Sequence, residues 1–303
     1  MGKPDLLDRR AIASAGKYMG RVAWPTVILG LALAVTYLAL VILTLAGTLP
    51  LSIAVPAVAL VTYQSYTILH DAVHGSIGGN DRKFRWLNRA MGYIAAWITM
   101  IPFTAHRYEH VAHHRYANDA ERDPDFHMGA MGDSLLAPVR IALRAWFSQF
   151  VYYGEERWRE APPLENAILC LEVAAALLPR LAVILAGFWL EGVTLFVLAW
   201  LIGAMVLIYL FAYVVHRPHE QVGRYVDTST ILPPESRLLK AVVNGFWLFQ
   251  NYHSIHHLFP RVPFYRYADL YEEIEDVLEA RHAPIYRLSV CGLSQSPKSA
   301  RSF

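Results

Sequence analysis

Between Val22 and Leu69 the chain carries no charged side chain. As one helix these 48 residues would extend roughly 72 Å at about 1.5 Å per residue. That is more than twice the ~30 Å hydrocarbon thickness of a bilayer, so the run must turn. Gly47-Thr48-Leu49-Pro50 supplies the turn and predicts spans over 24–47 and 50–70. A second apolar region, from about Glu165 to Val215, is interrupted at Glu191-Gly192 and predicts spans over 166–189 and 193–215. Pro179-Arg180 falls inside the third span, where the helix either kinks or begins. An arginine at that depth needs a partner or a water-filled cavity. The first run is too long for a cleaved signal peptide and lacks a small-residue cleavage site.

Three further segments follow a different pattern. Ala90–Ala105 is apolar but only about 16 residues long, short for a span. It is predicted to lie in the interface or beneath a polar domain. Leu135–Tyr153, with Arg140 and Arg144 four apart and many aromatics, reads as an interfacial helix. Tyr267–Arg281 reads as a charged amphipathic helix capping the molecule.

The composition agrees: 55% hydrophobic and 17% charged residues, against about 25% charged in an ordinary soluble domain. The expected fold class is an all-α integral membrane protein of four transmembrane helices with a cytoplasmic helical cap. Its expected parts are an N-terminal segment over 1–21, a membrane domain over 22–275 and a tail over 276–303. Of the 27 Lys and Arg, five precede the first span, eleven lie in 71–165, ten follow residue 215, and one is Arg180. The short loops at Gly47–Leu51 and about Leu190–Gly192 hold none. The positive-inside rule then puts both termini and the 71–165 segment in the cytoplasm. The net charge of +2 gives no reason to expect nucleic acid as a partner. The two cysteines, Cys170 and Cys291, form no CxxC pair, which disfavours a disulfide framework or a thiolate metal site.

Eight of the thirteen histidines fall into three clusters: His70-Asp71-Ala72-Val73-His74, His110-Val111-Ala112-His113-His114 and His253-Ser254-Ile255-His256-His257. Positions i, i+3 and i+4 share one helix face, so each cluster aims several imidazoles at one place. Clustered imidazoles mark a transition-metal site, and eight exceed what one ion takes. Two ions are expected, of zinc, copper, iron or nickel. All three clusters must then face one side, as the four-span topology allows. His216, directly after the fourth span, is the best ninth ligand, ahead of His219. His106 reads as a support behind the ligands or as a structural residue, and His127 and His282 as surface residues. Asp71, Asp123 and Asp125 are candidates to accept the ligands' second ring N–H. His106-Arg107-Tyr108-Glu109-His110 also fits H-x-x-E-H, a zinc-hydrolase pattern, but that reading leaves two clusters unused. A metal-binding transporter would put polar residues inside the spans, where only Gln64, Glu172 and Arg180 stand.

At HDAVHGS, HVAHHRYAND…DPD and QNYHSIHHLFPRVPFYRY the chain resembles the membrane fatty-acid desaturase superfamily over about residues 50–275. The His216-Arg217-Pro218 step and the third box are most similar to β-carotene hydroxylase-type carotenoid oxygenases. His219-Glu220 and Ala212 depart from the patterns of the subgroups. The resemblance implies a non-haem di-iron centre held by His70, His74, His110, His113, His114, His216, His253, His256 and His257. It implies an oxidoreductase that uses O₂ and electrons from an external donor such as a ferredoxin to attack an unactivated C–H bond of a lipid from the bilayer. The expected reaction is carotenoid ring hydroxylation, with fatty-acyl desaturation or hydroxylation as the alternative, in a bacterial inner membrane with the metals on the cytoplasmic side. Tyr63, Tyr66, Trp97, Phe103 and Tyr209 are candidates to line the substrate path. Arg107 and Arg115 are candidates to dock an acidic electron carrier.

Overall fold

A computed structural model describes residues 5–132, 134, 136–289 and 292–295. Cys291, position 135 and the last eight residues lie outside the described residues. The chain opens with α1 (Leu6–Gly16), capped by Asp5, whose side chain accepts from Asp8 N at 3.0 Å. The first hairpin of spans is α2 (Trp24–Leu45) and α3 (Leu51–His74). Gly47, at φ 72°, makes the turn between them, where the sequence places it.

Two short helices follow, α4 (Trp86–Thr99) and α5 (Phe103–Tyr116), then the longer α6 (Ala137–Glu156). The 14 residues of α4 are too few to cross a bilayer, and the helix packs against α3, α2 and α7 instead. The second hairpin is α7 (Pro163–Leu185) and α8 (Trp189–Tyr213). All four long helices are apolar enough to span a membrane. Leu171, Leu178 and Leu185 of α7, like Ile28, Val35 and Ile42 of α2, present apolar side chains outward, as lipid contact requires. The protein is an integral membrane protein of four helices.

Two details correct the sequence reading. The break in the second apolar region sits at Gly187, at φ 105°. Glu191-Gly192 lies within the first turns of α8, because one acidic residue at a helix start does not end a helix. Pro179 neither starts nor ends α7, which runs through it. Arg180 is satisfied in place: its guanidinium donates to Tyr37 Oη at 3.0 Å, to Trp97 O at 2.7 Å and to Ala176 O. It also lies over the rings of Tyr37, Trp97 and Phe196.

Helix α8 approaches α3 closely at Gly203, where a Cβ would stand 2.6 Å from Ala59 O. It widens into i→i+5 turns over Thr194–Ala199 and Ile208–Tyr213, a local irregularity that often marks functional sites. Beyond it come strand β1 (Thr230–Leu232) and helices α9 (Arg237–Trp247), α10 (His253–Leu258) and α11 (Tyr267–Ala280). Strands β2 (Ile285–Ser289) and β3 (Gly292–Gln295) close the described chain. β1 pairs parallel with β2 (Thr230 beside Ile285), and β2 antiparallel with β3 (Tyr286 beside Gln295). This small sheet was not foreseen, since such short strands carry little periodicity.

There are two main cores. One joins α2, α3, α4 and the start of α8, with Leu33, Ile68, Ile98 and Leu195 at its centre. The other joins α1, α10 and α11 around Ile255, Leu270, Ile274 and Leu278. Lys17 and Tyr18 both bond Glu273, each at 2.6 Å, which ties α1 to α11. The histidine clusters lie between these cores.

Candidate metal centre

Each cluster sits on a helix whose local sequence fixes it. α3 ends directly after His74 because Gly75 takes the left-handed conformation, φ 68°. Ser76 then bonds Asp71 O through both N (3.2 Å) and Oγ (3.0 Å). α5 carries the second cluster on its inner face. α10 carries the third and is clamped by β1: Ile231 N donates to Asn251 O at 2.6 Å, and Asn251 Nδ2 donates back to Ile231 O at 2.9 Å. That is the role of the asparagine in Gln250-Asn251-Tyr252.

These helices, with His216 from the turn after α8, bring eight imidazoles into two groups. His70, His74, His110, His114 and His256 form one; His113, His216 and His257 form the other; in each, the nearest ring nitrogens lie within 4.8 Å of one another. His114 Nε2 stands 3.1 Å from His110 Nε2 and 2.8 Å from His256 Nε2. His113 Nε2 stands 2.9 Å from His216 Nε2. His253 belongs to neither group, but its ring centroid is 4.8 Å from those of both His216 and His257.

Several of these nitrogens are buried without a hydrogen-bond partner, among them both of His70, both of His257 and His74 Nε2. Nitrogens ligating one ion at about 2.0–2.1 Å stand about 3–4 Å apart. The donor set therefore fits two cations. Burial, reinforced by neighbouring imidazoles, holds His110, His114, His253, His256 and His257 well below the ordinary imidazole range. They are neutral, the form that binds a metal.

The second ring nitrogens show how the clusters are oriented. His113 Nδ1–H donates to Asp123 Oδ1 at 2.9 Å. Burial pulls His113 down, but the Asp123 charge and hydrogen bond outweigh it and lift His113 to about 9, which strengthens Nε2 as a ligand. Asp123 is itself held by the backbone N–H groups of Asn118 (2.8 Å) and Asp125 (2.9 Å). Asp125 Oδ2 lies 3.8 Å from His113 Nδ1; burial, and then the nearby Glu109 charge, push its carboxyl up to about 7. Asp71 touches no histidine. Its carboxylate accepts from Thr26 Oγ1 at 3.3 Å and Phe264 N at 3.5 Å, so it joins α2, α3 and the segment after α10.

Two supports carry no sequence signal. His216 Nδ1–H donates to Ala212 O at 2.7 Å, a carbonyl at the second widened stretch of α8. His256 Nδ1 and Tyr267 Oη are hydrogen-bonded at 2.9 Å. His219 stacks on Tyr213 at 5.2 Å and joins neither group.

A cavity of about 70 Å³ opens beside the second group, lined by Tyr66, Trp146, Trp200, Ile208, Phe211 and the histidines His106, His110, His113, His216 and His253. A larger groove of about 370 Å³, between α4 and α7, shares Trp146 with it. Of the aromatics named from sequence, Tyr66 lines the cavity and Trp97 the groove. Tyr63 packs against Leu207 and Phe211, Phe103 packs on Tyr93, and Tyr209 faces outward.

Three carbonyls at the end of α4 receive side chains from three other helices. Trp97 O accepts from Arg180 of α7 (2.7 Å), Thr99 O from Trp200 Nε1 of α8 (2.8 Å) and Met100 O from Trp146 Nε1 of α6 (2.7 Å). A helix end leaves such carbonyls unpaired, and here they fix two indoles as cavity walls.

Four spans joined to buried histidine groups that could hold metal ions define a membrane-bound metalloprotein scaffold. The fatty acid desaturase family matches residues 46–289, and the chain belongs to that family. It is 30% identical over 207 residues to a β-carotene ketolase of Paracoccus sp. (strain N81106 / MBIC 01143), covering 66% of this chain and 71% of the relative. It is 31% identical over 211 residues to a β-carotene ketolase of Paracoccus sp. (strain PC1), with the same coverages of 66% and 71%.

Proposed function

We propose that this protein is an O₂-dependent di-iron oxygenase that hydroxylates a carotenoid ring. The observation that carries the reading is an apolar, aromatic-walled cavity that ends on both imidazole groups. The family membership and the named activity of the two relatives support it. The overall step is R–H + O₂ + 2e⁻ + 2H⁺ → R–OH + H₂O. Repeating it at the same carbon gives a diol that loses water to a ketone. Hydroxylase and ketolase outcomes thus differ in whether the alcohol leaves.

Two iron ions held by His70, His74, His110, His114 and His256 and by His113, His216 and His257, with His253 beside them, would supply O₂ activation. The chain's own residues do the rest. Asp123 and the Ala212 carbonyl keep one nitrogen of His113 and of His216 protonated and the other turned inward, and Tyr267 anchors the His256 ring. Trp200, Phe211 and Ile208 exclude water from the reacting carbon. The substrate arrives laterally through the groove and passes Trp146. The Lys and Arg distribution supports a cytoplasmic position for the histidine end and both termini, and exposed Arg115 would there face an acidic electron donor such as a ferredoxin.

A second reading, attack on a fatty-acyl chain, draws on one observation: the cavity's about 70 Å³ suits a methylene chain. Expression with a ferredoxin system in β-carotene-accumulating bacteria, followed by mass spectrometry of carotenoids and fatty acids, separates the two. New oxygenated carotenoids that vanish in His113→Ala are expected. Unchanged carotenoids with altered acyl chains would refute the ring reading.

A further inference from the structure

His106 is a tenth histidine at this site, and it belongs to neither metal group. It is 3% exposed, lines the cavity, and stacks on His110 at 5.1 Å. Its Nδ1 lies 2.8 Å from Gln149 Oε1, and Gln149 Nε2 donates to Ala145 O at 3.2 Å. The second bond fixes the amide: nitrogen toward the carbonyl, oxygen toward the ring. Nδ1 must therefore carry the proton. With that proton on Nδ1 and no acceptor facing Nε2, Nε2 presents a bare lone pair. It is buried and has no hydrogen-bond partner among the described residues. Asp125 Oδ1, on the same cavity wall, is likewise unpartnered.

Building on the carotenoid reading, we infer that His106 Nε2 accepts a hydrogen bond from a hydroxyl on the substrate ring, so that the cavity selects rings that already carry an alcohol. An acceptor cannot bind a keto oxygen, and a hydrocarbon ring would strand Nε2 away from water. A buried site built to pair a hydroxyl penalises the analogue that lacks it. An unpaired buried acceptor of this kind corresponds to a preference on the order of 10- to 100-fold. The other walls of the cavity are mostly apolar, which leaves His106 Nε2, held by Gln149, and Asp125 Oδ1 to set the ring's orientation.

The test uses membranes containing the full-length enzyme with a reducing system. Two carotenoids are compared, one with hydrocarbon rings and one hydroxylated on the ring. Wild type is expected to favour the hydroxylated ring in kcat/KM by about 10- to 100-fold. His106→Leu should bring the ratio near one, and His106→Gln, whose amide oxygen accepts, should restore part of it. Gln149→Leu, which frees the imidazole to exchange tautomers, should lower the ratio without abolishing turnover. A merely structural role would lower both substrates together.

The enzyme's own alcohol product offers the same hydroxyl. Passage from hydrocarbon ring to ketone without free alcohol, lost in His106→Leu, would place the contact on that product. Release of free alcohol together with a preference for the hydroxylated substrate would place it on the incoming ring. Equal use of both substrates by wild type, or a ratio unchanged in His106→Leu, overturns the inference and leaves the oxygenase reading intact. Conversion of neither, with altered acyl chains, overturns both.

Discussion

Asp123→Asn tests whether a carboxylate behind the ligands sets metal affinity. Asp123 Oδ1 lies 2.9 Å from His113 Nδ1 in a nearly dry setting. Unit charges 4 Å apart interact by about 4 kcal/mol at an effective dielectric of 20. The lift of His113 to about 9 leaves about 3 kcal/mol in favour of its charged form after the opposing cost of burial. Asparagine keeps an oxygen for His113 but removes the charge. It also turns an NH₂ toward the Asn118 N–H that Asp123 Oδ2 now accepts at 2.8 Å. Loss of such a partner costs about 10- to 100-fold in metal affinity. Purified wild type and variant would be titrated with an iron chelator, and bound iron counted at each step. The half-point should fall by at least tenfold in Asp123→Asn. It should stay put in Asp119→Asn, whose carboxylate pairs only with Arg122 and nearby backbone N–H groups. A half-point within twofold of wild type in Asp123→Asn would refute the reasoning.

Glu109 is buried and bonded by Ser148, and burial pushes its carboxyl from 4.5 up to about 8. Its raised value gives stability that is full below about pH 4.5 and is lost as pH rises through about 8; thermal unfolding from pH 5 to 8.5 should show that loss in wild type and a flatter profile in Glu109→Gln. Arg180→Ala strands Trp97 O and Tyr37 Oη inside the membrane and should cost about 3 kcal/mol, read as a lowered unfolding temperature in detergent; an unchanged temperature would mean that water reaches the site. Trp146→Ala joins the cavity to the groove and should broaden the product profile toward bulkier lipids, whereas an identical profile would show that the substrate does not pass this indole.

The spans were legible because a bilayer imposes length and apolarity residue by residue, and α2, α3, α7 and α8 obey both. Histidine spacing was legible because helix geometry converts i, i+3, i+4 into one face. What sequence could not show depends on distant partners. Arg180 reads as an anomaly until Tyr37 and the Trp97 carbonyl are beside it. His106 reads only as a support or a structural residue until Gln149, 43 positions away, fixes its tautomer. Asp71, inside the first box, looked like a partner for a ligand because it is adjacent in sequence. On a helix, neighbouring residues point about 100° apart, and its carboxylate instead reaches α2.

The indoles of Trp146 and Trp200 each serve two masters, a carbonyl of α4 and the wall of the cavity. A change to any other aromatic would leave a bare carbonyl in hydrocarbon, so these walls resist substitution even when a different substrate would favour a new shape. Ala142, Ala145, Ala204 and Ala212 line the same space and have no such obligation. Divergence of substrate preference on this scaffold should therefore run through small-to-large changes at those alanines, with the two tryptophans retained as its fixed frame.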